Sequence, residues 1–247
     1  MFGRIAGLRS RNLTRRPLEY RAASFSQLMR ALETIERTRQ DGVVLRASTI
    51  RLIAPIVFEE TVTYPSGFAG VRIYSDLSIV HEVAAGVTTV FEVAGDYHEF
   101  SMLNVEGGTN FVALTENNTV GTEIRRCRVN ATNIWLGGGF SNTRTRIEDN
   151  NALSSVVLGQ LGAASFVRGN VLDSIDANAE SISSCHLTDN YLGQDIIIDG
   201  GGTCVVTDNL VLGDLDTSSG SGSNIVDSNI VIGTLTTHGS DTAGDNE

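Results

Sequence analysis

The chain has 247 residues, 41% of them apolar, with 26 glycines, 3 prolines, 3 cysteines and a formal net charge of −11. That apolar share excludes a disordered chain, the odd cysteine count without a CxxC spacing excludes a disulfide framework, and no run reaches the ~18 apolar residues that cross a bilayer. The charge is split between the ends: residues 1–22 hold six arginines against Glu19, whereas 169–247 hold thirteen Asp and Glu and no Arg.

Residues 1–23 read as a basic arm carrying Arg4, Arg9, Arg11, Arg15, Arg16 and Arg21. Phe2, Ile5 and Leu8 recur every three residues, but Gly3, Gly7 and Pro17 weaken any helix there, so an extended arm is expected on an acidic or anionic partner. A protein partner is expected and nucleic acid is not, because beyond residue 40 nine arginines face twenty-six acids and phosphate would be repelled. The same segment lacks the apolar stretch of a signal peptide, so no secretion is expected.

Residues 24–41 predict one amphipathic helix. Phe25, Leu28, Met29, Leu32 and Ile35 share a face, Ser24 and Gln27 have capping-box spacing, and Gly42 suits the position past the end. From 42 to 237 helical periodicity stops, and short runs of Val, Ile, Leu and Thr alternate with Gly, Asn, Asp and Ser. Asparagines at 104, 130, 150, 170, 190, 209 and 229 follow strand-like segments at intervals of 26, 20, 20, 20, 19 and 20. Apolar positions keep the same ruler: Cys127, Ile147, Val167, Leu187, Val206 and Val226 stand three before the asparagine, and Ala152, Leu172, Leu192, Val211 and Val231 two after.

Twenty residues hold three short strands and three turns but not two helices, so the period predicts one coil of a parallel β-helix. Asn104, Asn130, Asn150, Asn170, Asn190, Asn209 and Asn229 are then rungs of a structural ladder, each in a left-handed turn with its amide bonded to the next coil. One coil buries too little to fold alone, so stability must come from stacking. The remaining 238–247 read as a polar acidic tail. With no apolar segment left to cover the last coil, an open edge is expected, closed by side-by-side association into a homotrimer.

The helix followed by GVVLRASTIRLIAPIVFEETVTYPSGFAGVRIYS and then GVTTVFEVAGDYHEFSMLNVEGG resembles the entry of the pectate-lyase-like right-handed β-helix superfamily, closest to tailed-phage tailspikes and virion spikes. The resemblance covers roughly 24–235. It implies an all-β, right-handed, single-stranded parallel β-helix capped by the helix, in a superfamily that holds lyases, hydrolases and purely structural virion proteins. The sequence departs from tailspikes in having no large head-binding domain before the helix and no trimerisation domain after the last coil.

The candidate chemistry is acidic. Asp195 and Asp214 share one position on adjacent coils, as do Asp189 and Asp208, and such a stack reads either as a solvated acidic face or as a pair able to flank a glycosidic bond or hold a cation. Polysaccharide cleavage would also want basic residues nearby, and this half has none. His81, His98, His186 and His238 fall in no motif; Cys185 and Cys204 are in register and expected as stacked free thiols; Trp135 and Phe140 beside Asn130 read either as a sugar platform or as packing.

The expectation is therefore a non-enzymatic virion protein without cofactor or metal. It would be a short trimeric spike, fibre base or capsid decoration, attached to capsid or tail proteins by its arm and touching cell-surface polysaccharide. The alternatives are a polysaccharide depolymerase using Asp195 and Asp214, or a stand-alone glycan-binding module.

Overall fold

The computed structural model describes residues 19–40, 48–64, 70–115, 119–137, 142–152, 154–157, 165–177, 184–199, 203–219 and 223–247. They form a parallel β-solenoid with coils of about 21 residues. Each coil contributes one short strand to each of three sheets, which hold eleven, nine and nine strands among the described residues. Every pairing is parallel, so each sheet grows by one strand per coil and like residues stack on like.

Strict alternation along these strands sends every second side chain inward. In the first sheet the inward column is Ile50, Ile73, Phe100, Ile124, Ile147, Val167, Leu187, Val206 and Val226, all buried. In the third it is Val62, Phe91, Val112, Trp135, Val156, Ile175, Ile196 and Leu215. The coils shorten along the chain: successive members of the first column are 23, 27, 24 and 23 residues apart as far as Ile147, and 20, 20, 19 and 20 apart from there to Val226. The longer coils enclose more volume and fill it with rings, Phe91 meeting Phe58, Phe100 and Phe111 at 5.4, 4.6 and 5.6 Å between centroids. In the shorter coils, aliphatic side chains suffice.

The helix spans Phe25–Gln40. Its capping box forms as expected: Ser24 Oγ accepts the Gln27 N–H at 3.3 Å and Gln27 Oε1 accepts the Ala23 N–H at 2.8 Å. Phe25, Leu28, Leu32 and Ile35 are buried against the first coil, with the Phe25 ring edge-on to Phe58 at 6.2 Å. A strand precedes it: Glu19–Ala22 pairs with Ser48–Leu52, so the solenoid begins before the helix. Arg21 thus belongs to a strand and not to the arm, with its exposed guanidinium 3.7 Å from Glu19. Arg4, Arg9, Arg11, Arg15 and Arg16 lie outside the described residues.

The asparagine ladder is real from Asn150 onward. The Oδ1 of Asn170 accepts both the backbone N–H and the Nδ2 of Asn150, at 3.0 and 2.9 Å. Asn190, Asn209 and Asn229 repeat this for the rung before. Each Nδ2 also donates to an inward-lying carbonyl, those of Ile124, Ile147, Val167, Leu187 and Val206 in turn, so every buried amide is satisfied.

Three details differ from the sequence reading. The left-handed residue is the one before the asparagine, Asp149, Gly169, Asp189, Asp208 or Ser228, with φ between 57° and 66°. The asparagine itself is therefore free to turn its amide inward. Asn104 and Asn130 are not rungs: in the longer coils Asn104 is in register with Arg128, Asn130 with Glu106, and the corner position is filled by Cys127, whose N–H bonds to Asn150 Oδ1 at 2.9 Å. Finally, the stretch expected as a free polar tail carries the stack on. Thr242–Ala243 pairs with Ile225–Asp227, and Asn246 is a further rung, accepting the Asn229 N–H and Nδ2 at 3.1 and 3.0 Å.

Candidate functional site

The stacked acids of the narrow coils sit in the turns between the second and third sheets. Asp195 Oδ1 accepts the backbone N–H of Asp214 at 2.7 Å, and Asp214 Oδ1 accepts that of Thr234 at 2.6 Å. One coil earlier Asp173 accepts Gln194 Nε2 on both oxygens at 2.9 Å. Each carboxylate points along the stack and satisfies the next coil's turn. Gly213 and Gly233 leave room for this, since a Cβ there would lie 2.1 and 2.4 Å from the carboxylate oxygens of Asp195 and Asp214. Asp195 and Asp214 thus act head to tail as turn rungs and do not face each other across a space that a glycosidic bond could enter. Asp189 and Asp208 occupy the exposed left-handed corner before the asparagines. Among the described residues no group of three or more His, Cys, Asp or Glu is placed to hold a metal ion.

Of the two readings of Trp135, packing is the one seen. Trp135 is fully buried in the third-sheet column, and Phe140 lies outside the described residues. His81 is also internal: its Nδ1 accepts the Ile56 N–H at 3.3 Å, its Nε2 meets Ser75 Oγ at 3.0 Å, and burial lowers its pKa to about 4. His98 lies buried beside Tyr64, ring centroids 4.6 Å apart, whereas His186 faces outward.

The informative surfaces are the outward ladders, which change character at one level of the stack. On the first sheet the wider coils carry an ion-paired band. Arg72 meets Glu99 at 3.1 Å, Arg125 meets Glu123 and Glu148 at 3.3 and 3.1 Å, and Arg146 reaches Glu123 at 3.6 Å. After Arg146 the same column continues as Phe166, His186, Val205 and Ile225, the first two rings stacked at 5.0 Å and 15°. On the second sheet Asn104, Arg128 and Asn151 give way to Val171, Tyr191, Leu210 and Ile230. Val171, Tyr191 and Ile230 remain 40%, 42% and 46% exposed, and Leu212 and Ile232 beside them 41% and 67%. A row of apolar side chains thus stands in water over the last four coils, which an isolated rod does not need.

Along the same face runs a shallow, open groove in two parts that share Asn130, one lined by Asn104, Glu106, Arg128, Val129 and Asn151 and the other by Thr132, Ser155 and Asp173. Amides, a guanidinium and carboxylates on a flat sheet offer the donors and acceptors that sugar hydroxyls use. Sequence reasoning assigned Asn130 to the ladder and missed the groove, because the signal lies in side chains one coil apart and so depends on the true coil lengths.

No helix among the described residues is long and apolar enough to cross a membrane. Compared with protein-family models, curated proteins and solved structures, the chain matches none of them.

Proposed function

We propose that this chain is a structural spike or decoration protein of a tailed-phage-like particle, a short β-solenoid that trimerises side by side and presents its polar groove to cell-surface glycan. The observation that carries the reading is the apolar ladder Val171, Tyr191, Leu210 and Ile230 on the outside of the rod. Its rungs repeat at the ~4.8 Å strand spacing, a pitch that another copy matches over its whole length. A second copy is therefore its occupant. Each of these partly exposed side chains gains roughly 1 kcal/mol on full burial. The contact covers the last four coils and leaves open the stretch of groove lined by Asn104, Glu106 and Arg128. The resemblance of the helix and first coils to tailspikes supports placing it on a particle, and the commitment of Asp195 and Asp214 to turn amides argues against depolymerase chemistry at that pair.

Light scattering on the purified chain checks the assembly. The expected mass is three times 26.4 kDa, falling to a single chain in Tyr191→Asp/Ile230→Asp. A single-chain mass for the unaltered protein at high concentration overturns the trimer. Mass spectrometry of purified particles from the source of the gene checks the location: the chain is expected among their proteins and lost from them when residues 1–18 are deleted. Its absence from intact particles overturns the virion reading.

A further inference from the structure

Cys185 and Cys204 stand in register on adjacent strands of the first sheet, where His186 pairs with Val205, and both side chains turn into the core with at most 1% exposure. The Cys185 thiol donates to Cys204 Sγ at 2.9 Å. That is within ~1 Å of the ~2.05 Å of a disulfide bond, and the ~4.8 Å between parallel strands lies inside the Cα separation that a disulfide spans. The two thiols are free, as expected from the sequence, and their sulfurs face each other. The backbone around them is fixed, the Ser184 N–H bonding to Thr203 O at 2.9 Å and the Cys204 N–H to Asn224 Oδ1 at 3.0 Å.

The two thiols are inequivalent. The hydrogen bond from Cys185 holds the Cys204 thiol below its usual range, and the same bond pushes Cys185 up. Cys127 is a built-in contrast: its thiol donates to the backbone, with the carbonyls of Phe100 and Arg125 at 3.6 and 3.4 Å, and burial raises its pKa to about 12.

We propose that Cys185 and Cys204 are an oxidisable pair that closes a disulfide between adjacent coils when the protein meets a peroxide. The Cys204 thiolate attacks one peroxide oxygen, the O–O bond breaks, and the departing hydroxide takes up a proton and leaves as water. The resulting sulfenic acid is attacked by Cys185, the S–S bond forms as the S–O bond breaks, and a second water leaves with the Cys185 proton. Two thiols lose two electrons and one hydrogen peroxide becomes two waters. A small oxidant suits a pair packed this tightly in a core, whereas a glutathione adduct would have to open the coil.

The test uses the full-length protein treated with hydrogen peroxide, the remaining thiols then blocked after denaturation. No Lys or Arg follows Arg168, so trypsin leaves both cysteines in one fragment; cleavage at Asp189, Asp195 or Asp199 separates them. The expected product is a Cys185–Cys204 cross-linked pair of fragments that dithiothreitol resolves, with Cys127 still blocked as a free thiol. Closing a loop of this size is expected to raise the thermal midpoint by roughly 10 °C, a shift absent from Cys204→Ala. Three free thiols after treatment, or a cross-link that involves Cys127, overturns the proposal.

Discussion

At the scale of single residues, the asparagine rungs carry the sharpest test. Replacing Asn190 with Leu removes the acceptor for both the N–H and the Nδ2 of Asn170 and the donor to Val167 O, all buried. At 1–3 kcal/mol for each stranded group, the loss is expected to reach at least about 3 kcal/mol in urea unfolding. Asn130→Leu, on the exposed face, is expected to stay within about 0.5 kcal/mol. Equal effects would contradict the register that separates the two. His81 supplies a pH test. It is neutral in the fold with a pKa of about 4 against 6.5 for the free side chain, so the unfolded chain takes up the proton first as pH falls. Its stabilising contribution is complete above 6.5 and drains away down to about 4, on the order of 3 kcal/mol in all. The urea midpoint is expected to drop over that window, and His81→Asn, which keeps an acceptor for Ile56, to flatten the drop. The rungs from Asn150 on were legible because one residue type recurs at one interval. The use of Asp195 and Asp214 was not, since spacing places a carboxylate on a coil but says nothing of whether it points along the stack or away from it.

Among elements, the two ends of the rod are finished differently. The wide end is covered by the helix Phe25–Gln40, legible from its apolar face and its Ser24 and Gln27 cap. The strand Glu19–Ala22 ahead of it was hidden, because four residues of mixed polarity give no period of their own and gain one only by lying beside Ser48–Leu52. At the narrow end the described residues close with a half coil, drawn in by Asp241. Its carboxylate accepts the Thr217 hydroxyl at 2.6 Å, the Asn224 N–H at 2.8 Å and the His238 N–H at 2.9 Å. Partial burial pushes that carboxyl up, but the hydrogen bonds outweigh it and hold it below the usual range. Its contribution is thus present above the unfolded value of 3.8 and lost as pH falls through the folded one. Asp241→Ala is expected to release residues 238–247: their amides should lose protection from hydrogen exchange while Ile225–Asp227 and the coils before it keep theirs. Unchanged protection in 238–247 would mean that the Thr242–Ala243 pairing and the Asn246 rung anchor the half coil without Asp241. The sequence masked this element because Asp, Asn, Thr and Gly read as tail until a neighbouring coil offers them partners.

For the whole molecule, the period was the readable quantity, and it gave the solenoid, the three sheets and the inward columns. What it could not give was the change of coil length, since the first columns lengthen to as many as 27 residues and put the ruler three residues out at Asn130. Two outward ladders follow the same division, with ion pairs and polar groups on the wide aromatic coils and apolar rows on the narrow aliphatic ones. Under the function proposed above, self-association would belong to one end of the rod and ligand contact to the other. The unequal coils also give assembly a direction in time. A ribosome delivers the helix and the phenylalanine-filled coils first, so the most bulky layers are in place before the asparagine layers emerge. Each later and smaller coil meets a finished template whose carbonyls and amides are already aimed at it. The chain can grow like a stack laid on its foundation, with the most dependent layers added last.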